Sequence, residues 1–229
     1  MPTAPARASD SSALARLGGA TLEIVHDLKN QLNGLKLYAT FLRKRLERED
    51  QPADERETLA KLISGLDRAA KDLTALVRYA RPLELRKQAG VKLQRIISNV
   101  IAEAEQRDTG GLPKIVIQAD FQDDSLIGEF DPAALAEAFK AITDDVRGSR
   151  SARDLEPPVI TLQRNRETDS ATLKWLGAHF NQRTGALSTG CGTIHTEVAK
   201  KIVEAHGGDL SCDQSTIIVS LPLTKIQND

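Results

Sequence analysis

A histidine and three polar residues lie together near the start of the chain, in the segment IVHDLKNQLNGLKLYATFLRKRL. On a helix, His26, Lys29 and Asn30 occupy positions i, i+3 and i+4 and form one polar stripe, which Asn33 extends at i+7. Asp27 projects about 100° further round the axis. A neutral imidazole is a nucleophile, a neighbouring carboxylate can fix its tautomer, and an amide one turn away can orient a phosphoryl oxygen. Lys29 adds a positive charge that favours an anionic group. The residues predict phosphoryl transfer through His26, and the alternative is a solvated helix face that includes a histidine.

These residues belong to the first of two helices predicted within residues 12–81. Apolar residues recur there in alternating steps of three and four. The first run is Val25, Leu28, Leu32, Leu35, Ala39, Leu42 and Leu46, and the second is Leu59, Leu62, Leu66, Ala69, Leu73, Leu76 and Ala80. The polar segment EREDQPADERE separates the runs, Asp54 with Glu57 is predicted to cap the second helix, and Pro82 ends it. The pattern predicts an antiparallel helical hairpin, and pairing of two copies into a four-helix bundle predicts a homodimer.

The remainder of the chain changes to alternating helices and strands. The predicted helices are VKLQRIISNVIAEAEQR, AALAEAFKAITDDVR and TIHTEVAKKIVEAHGG, and the predicted strands are KIVIQADF, LIGEF, PVITLQRN, SATLKWLG, DLSCD and STIIVSLPL. Asp131 is expected to cap the second of these helices, with Pro132 in its first turn. His206 is expected near the end of the third, where a helix favours the charged imidazole, and Cys212 is expected in the core. The pattern predicts an α+β sandwich, with helices packed over a mixed sheet.

Composition narrows the class of protein. The chain has 229 residues, 40% of them apolar, and a formal net charge of −1, so no overall field favours nucleic acid or an anionic membrane. No apolar run approaches the length of about 18 residues that a membrane span needs. Residues 1–11 lack the apolar core of a signal peptide and are predicted to be disordered. Two cysteines are too few for a disulfide framework, and Cys191 with His195 are too few ligands for a metal site. We therefore expect a soluble cytoplasmic protein without a metal.

The string from His26 to Asn30 resembles the phosphoacceptor box of two-component histidine kinases, H-[ED]-x-x-N followed by a leucine pattern. Two later segments, GEFDPAALAEAFKAITDDV and KKIVEAHGGDL, resemble the N-box helix and the helix after the last glycine box of the kinase ATP-binding domain. The resemblance covers about residues 12–223. It implies a dimerisation and histidine phosphotransfer hairpin over residues 12–81 and an ATPase-like domain of the GHKL type over residues 88–225.

The nucleotide-binding motifs of the family are not retained. Where the N box has two asparagines, this chain has Ala141 and Asp145, of which only the aspartate could bind Mg²⁺. Trp175 replaces the aspartate that accepts a hydrogen bond from the adenine amino group, and an indole can only donate. Gly190 and Gly192 remain before a helix N-terminus and, with Asp145, are candidates for holding an anion, although such glycines more often serve turns. The sequence thus predicts a degraded ATP site and no cofactor of its own.

The resemblance then implies a histidine phosphotransfer protein in a phosphorelay. His26 would accept a phosphoryl group from the aspartate of one receiver domain and donate it to another, with Asp27 orienting the imidazole and Asn30 placing the phosphoryl group. Mg²⁺ would come with the receiver. The expected partners are a second copy, response-regulator receiver domains and an upstream hybrid histidine kinase. By the same resemblance, the receiver contacts are Leu35, Tyr38 and Leu42.

Three alternatives stay open at this point. The chain could be an ATP-dependent histidine kinase with an atypical nucleotide site built around Asp145, Gly190 and Gly192. It could instead be a non-catalytic scaffold or inhibitor of a kinase or receiver, in which case His26 is replaceable. It could also remove phosphate from a receiver, with Asn30 orienting the attacking water.

Overall fold

A computed structural model describes residues 25, 27–44, 53–107, 113–119, 126–148, 156–177, 193–213 and 215–224. The chain divides into two compact units between Pro82 and Leu83. In its described residues the first unit is helical, whereas the second combines helices with strands. None of the described helices is both long enough and apolar enough to cross a membrane.

The first unit contains two helices, α1 over residues 27–44 and α2 over Ala53–Ala80. α2 has two acidic residues in its first turn and a basic residue in its last, an arrangement that the helix dipole favours. The prediction that Asp54 caps α2 is wrong by a small margin, because the helix begins at Ala53 and Asp54 is already helical. Pro82 lies two residues beyond the last helical residue, which confirms it as the end of the hairpin.

Among the described residues, the first unit buries a narrow set of apolar side chains. These are Val25, Ala39, Ile63 and Ala75. Lys36 Nζ lies 2.5 Å from Asp67 Oδ1 and joins the two helices in a partly exposed ion pair. The first two buried residues belong to the predicted run on α1, but Ile63 and Ala75 are outside the predicted run on α2. Periodicity identifies an apolar helix face but does not tell which of two adjacent rows meets the neighbouring helix.

The second unit is a two-layer α+β sandwich, as predicted. Its helices are α3 (Leu93–Gln106), α4 (Pro132–Gly148) and α5 (Ile194–Ala205), and its strands are β1 (Gln88–Lys92), β2 (Val116–Ala119), β3 (Ile127–Phe130), β4 (Val159–Asn165), β5 (Ser170–Leu176), β6 (Asp209–Asp213) and β7 (Thr216–Pro222). Five strands form a sheet in the order β2-β4-β5-β7-β6, in which β2 and β4 run parallel and the other neighbours antiparallel. β1 and β3 form a separate antiparallel pair.

The core of this unit lies between the sheet and the helices. α4 packs on β5, α5 packs on β6 and β7, and α3 packs on α4. Every second residue of β5 and β7 is buried, because successive side chains of a strand point to opposite faces. The fully buried side chains that face the helices from these strands include Leu173, Trp175, Ile217 and Leu221.

The start of α3 differs from its prediction. The apolar pattern predicts a helix from Val91, but Gln88–Lys92 forms β1 and the helix begins at Leu93. Gly90 has a φ of +75°, and the pairing of β1 with β3 is irregular between Gln88 and Val91. A short strand that pairs at a distance leaves little local periodicity, so this element could not be found from the sequence pattern.

The predicted start of α4 and the predicted end of α5 are both confirmed. Asp131 Oδ1 accepts hydrogen bonds from the N–H groups of Ala133 and Ala134, each at 3.0 Å, and caps α4. After α5, Gly207 has a φ of +78° and Gly208 N–H donates to Val203 O at 3.0 Å, which closes the helix in the Schellman pattern. A Cβ atom on Gly208 would collide with the carbonyl oxygen of Ser220 in β7. Each glycine is therefore required, one for its φ and the other for close packing.

Two single-residue predictions in this unit are corrected by the structure. His206 is the C-cap of α5, as predicted, but it is not the charged imidazole expected there, because the residue is 3% exposed and burial lowers its pKa below the ordinary value of 6.5. Cys212 is predicted to be a core thiol, but it is half-buried in β6, an edge strand, and it is disulfide-bonded. Cys191, the other cysteine of the chain, lies outside the described residues.

Candidate functional site

The predicted polar stripe lies on α1. His26 is outside the described residues, but the residues that follow it are helical, so the spacing assumed for the stripe holds from Asp27 onward. Asp27 and Asn30 are exposed and Lys29 is half-buried. A carboxylate and an amide on the solvent side of a helix can approach a phosphoryl group held by another protein.

The exposed apolar side chains of α1 fall on two faces. Leu28, Leu35 and Leu42 repeat every seven residues and lie beside the buried face, with Tyr38 next to them. Leu37 and Phe41 lie on the other side, since nine residues at 100° each place Leu37 about 180° from Leu28. Leu35 is 54% exposed, and Leu37 and Phe41 are 70% and 68% exposed. We call the first set the inner stripe (Leu28, Leu35, Leu42) and the second the outer pair (Leu37, Phe41).

Sequence reasoning missed the outer pair because neither residue belongs to the heptad run. A different spacing would have found it. Leu37 follows Asn30 by seven residues and Asn33 by four, and Phe41 follows Leu37 by four. These steps place the outer pair on the same helix face as the amides of Asn30 and Asn33, further along the chain from His26.

An apolar groove of about 280 Å³ opens where α1 ends and α2 begins. The groove is lined by Leu42, Asp54, Glu55, Thr58, Leu59 and Leu62. Leu42 and Leu62 are exposed. Because Leu42 also belongs to the inner stripe of α1, the inner stripe ends at this groove.

Trp175 is a core side chain at the position where the resemblance implies an adenine-binding aspartate. Trp175, near the end of β5, is 1% exposed and lies beneath α4. Its Nε1–H donates to Thr143 Oγ1 at 3.0 Å, and that hydroxyl donates to Phe139 O at 2.7 Å. The rings of Trp175 and Phe139 are in tilted contact, with centroids 5.6 Å apart. The indole thus belongs to the packing of α4 on the sheet.

Asp145, the other candidate of the nucleotide site, is buried and hydrogen-bonded to the start of α5. Its Oδ2 accepts a hydrogen bond from Thr196 Oγ1 at 2.6 Å and another from the hydroxyl of Thr193. Thr193 Oγ1 also accepts from His195 N–H at 3.1 Å and so caps α5. The carboxylate holds the end of α4 to the beginning of α5. Sequence reasoning missed both threonines, because they lie 48 and 51 residues from their partner.

The other predicted residues of the nucleotide site are two glycines and an alanine. Gly190 and Gly192 lie outside the described residues. Ala141 is half-buried on α4. Within the described parts of the chain, no three histidine, cysteine or acidic side chains are grouped so that they could hold a metal ion.

No protein-family model and no curated protein sequence matches this chain. Solved structures do match. The histidine kinase AdeS of Acinetobacter baumannii is 14% identical, with a TM-score of 0.51, and the match covers 83% of this chain and 96% of that one. Full-length ShkA, solved in complex with AMPPNP, is 14% identical with a TM-score of 0.57, over 90% of this chain and 46% of ShkA.

A third match includes a partner. The histidine kinase ThkA, solved in complex with the response regulator protein TrrA, is 15% identical with a TM-score of 0.56, over 93% of this chain and 64% of that one. The chain thus spans about half the length of ShkA and about two thirds of that of ThkA. At such low identity the similarity establishes the fold. The chain has the fold of the histidine kinase core, a helical hairpin followed by an α+β domain of the ATP-binding type.

Proposed function

We propose that this protein is a histidine phosphotransfer protein of a two-component phosphorelay, with His26 as the residue that carries the phosphoryl group. The proposal is supported by the H-D-x-x-N spacing at His26, by the exposure of Asp27 and Asn30 on α1, and by the fold that the chain shares with histidine kinases. It is favoured over an ATP-dependent kinase by one observation, the burial of Trp175.

The proposed step is a transfer between a receiver aspartate and an imidazole. A nitrogen of His26 attacks the phosphorus of the aspartyl phosphate, the N–P bond forms, and the P–O bond breaks with its electron pair leaving on the receiver carboxylate. Asp27 orients the imidazole, Asn30 donates to a phosphoryl oxygen, and Lys29 offsets negative charge. The Mg²⁺ that neutralises the phosphoryl oxygens comes with the receiver. The reverse reaction delivers the group to a second receiver.

Trp175 supports the loss of ATP binding in two ways. An indole has no acceptor for the adenine amino group, and leaving that group unpaired in a closed site costs about 1–3 kcal/mol. The side chain is also fixed in the core by Thr143 and by the ring of Phe139, so it cannot swing away without opening the packing of α4. Asp145 points to the same conclusion, because Thr193 and Thr196 already occupy its Oδ2.

Titration with ATP and Mg²⁺ tests this part of the proposal. The sequence contains one tryptophan, so fluorescence that is excited selectively at tryptophan reports on residue 175 alone. We expect no saturable heat in calorimetry and no change in fluorescence up to several millimolar ATP. The core of an active histidine kinase, titrated in the same buffer, is the positive control. Saturable binding followed by labelling of His26 from ATP would favour the kinase alternative.

We further propose that the two apolar faces of α1 serve two partners. The inner stripe lies beside the buried face of α1 and ends at the apolar groove, which also contains the exposed Leu62 of α2, so we assign it to a second copy. The outer pair lies on the face of the polar stripe, so we assign it, together with Tyr38, to a receiver domain. Of the residues that the resemblance implies for the receiver, Leu35 and Leu42 are thereby assigned to the dimer.

Leu35 and Leu37 form a matched pair for testing this division, since both are exposed leucines on one helix. Leu35→Glu is expected to convert the dimer to a monomer, because it places a carboxylate in an apolar contact. Leu37→Glu is expected to keep the dimer but to slow transfer from a phosphorylated receiver by at least about tenfold, equivalent to about 1.4 kcal/mol. Sedimentation measures the first effect and radiolabel transfer the second. Dimer loss in Leu37→Glu, or normal transfer in that variant, would contradict the assignment.

A further inference from the structure

Three segments of the second unit meet at a buried polar cluster that the proposed function does not use. The segment Leu83–Lys87, which follows the hairpin, is hydrogen-bonded through Arg86 to Asp131 at the start of α4, and Asp131 is hydrogen-bonded in turn to His206 at the end of α5. The cluster consists of the backbone of Arg86, the backbone and carboxylate of Asp131, and the imidazole of His206. Asp131 and His206 are both buried.

The two oxygens of Asp131 hold two different segments. Oδ1 caps α4, as described above, whereas Oδ2 accepts a hydrogen bond from Arg86 N–H at 2.8 Å. Burial by itself would raise the pKa of this carboxyl, but the three N–H donors and the neighbouring His206 outweigh it and hold the pKa below 3.8. Asp131 therefore stays ionised at neutral and mildly acidic pH, and its own titration does not release Arg86 there.

The hydrogen bonds of His206 define its protonation state. Nε2 accepts a hydrogen bond from Asp131 N–H at 3.0 Å, so it carries no proton. Nδ1 must then be protonated, and it donates to Ile202 O at 2.8 Å. A charged imidazolium has a proton on both nitrogens and cannot accept from Asp131 N–H. Protonation would place an Nε2–H group of His206 against the N–H group of Asp131 inside a buried contact, so one of the two residues would have to move away.

We infer that Asp131 and His206 form an acid-sensitive lock, which holds the segment Leu83–Lys87 on the start of α4 at neutral pH and releases it when His206 takes up a proton. The lock is independent of the proposed phosphotransfer, because it involves neither α1 nor a receiver. It connects the segment that leaves the hairpin to the ends of two helices of the second unit, so its release frees that segment without unfolding the sheet.

The charges around His206 explain why the lock is closed at neutral pH. Among the described residues, two charged side chains act on the imidazole, Asp131 from the start of α4 and Lys87 from the locked segment. β3 contributes the uncharged ring of Phe130, and α5 contributes the carbonyl of Ile202. Burial has the largest effect and lowers the pKa of His206, and Lys87 lowers it further, against the opposite effects of Ile202 and Asp131.

The direction of the pH dependence follows from this shift. The folded chain binds the proton of His206 less readily than the unfolded chain, whose histidine has the ordinary pKa of 6.5. The contribution of His206 to stability is therefore complete above that pH and decreases as the pH falls toward the lowered value. Opening of the lock is expected in the same window.

Amide hydrogen exchange, followed by NMR on the full chain, measures the lock directly. The protection factors of the Arg86 and Asp131 amides, corrected for intrinsic exchange, are expected to fall at least about tenfold between about pH 7.5 and pH 5. The amides of β5 are expected to keep their protection. Equal protection of Arg86 at both pH values would overturn the inference.

Two variants separate the lock from general destabilisation. His206→Gln offers a neutral acceptor to Asp131 N–H and does not titrate, so the acid-dependent loss of protection should disappear. The same loss should remain in the control variant His195→Gln.

Asp131→Asn can still cap α4 through Oδ1 but turns an NH₂ group toward Arg86. Protection at Arg86 should then be lost at every pH, with the amides of Ala133 and Ala134 still protected. Should His206→Gln not fold, Asp131→Asn decides, and full protection of Arg86 in it would refute the lock.

Discussion

Replacement of His26 by alanine is expected to abolish the transfer of a labelled phosphoryl group from a phosphorylated receiver. The loss should be on the order of 10³-fold or more, because no other side chain of the stripe supplies a nucleophile of comparable reactivity. The proposed dimer should be unaffected, since the polar stripe does not include the inner stripe of α1. Gel-based transfer assays with a radiolabelled receiver measure the first quantity, and sedimentation measures the second.

A matched control is available on the second unit. His195 is a half-buried histidine of α5, and its replacement by alanine should leave transfer unchanged. Undiminished phosphate flow in His26→Ala would contradict the phosphotransfer proposal and favour the scaffold alternative. Transfer lost equally in both variants would point to a structural defect, which the sedimentation profile would reveal.

The second large effect concerns the tryptophan beneath α4. Trp175→Ala is expected to lower the free energy of unfolding by about 3–5 kcal/mol, because it removes a fully buried aromatic side chain from a packed core. It also removes the donor to Thr143 and the ring contact with Phe139. Urea unfolding followed by circular dichroism measures the change as a lower midpoint with the same slope.

Trp175→Phe is the control for size and aromatic character. It keeps most of the buried area and loses the indole N–H, so a decrease of only about 1–2 kcal/mol is expected. Trp175→Asp, which restores the adenine-binding aspartate that the resemblance implies at this position, should destabilise at least as much as alanine, because it buries an unpaired carboxylate. A fully stable Trp175→Asp protein that binds ATP would show that the indole merely blocks a nucleotide site that is otherwise intact.

Local features of the sequence account for much of the fold. The three-and-four periodicity predicts both helices of the hairpin, Asp131 before a proline predicts the start of α4, and paired glycines predict the end of α5. Each of these depends on residues within one or two turns of each other, where backbone geometry and hydrogen bonding are determined locally. The α+β class follows for the same reason, since the change from helical to alternating periodicity is visible along the chain.

The candidate site divides in a similar way. His26, Asp27 and Asn30 lie within five consecutive residues, so their spacing could be identified from the sequence alone, and that spacing predicts which residues could transfer a phosphoryl group. The tertiary structure decided what Trp175, Asp145 and His206 do. Trp175 is hydrogen-bonded to Thr143, 32 residues away, and Asp145 to Thr196, 51 residues away. His206 is hydrogen-bonded to Asp131, 75 residues away. Burial and pairing at such separations depend on how the helices pack on the sheet, and no local propensity encodes that packing.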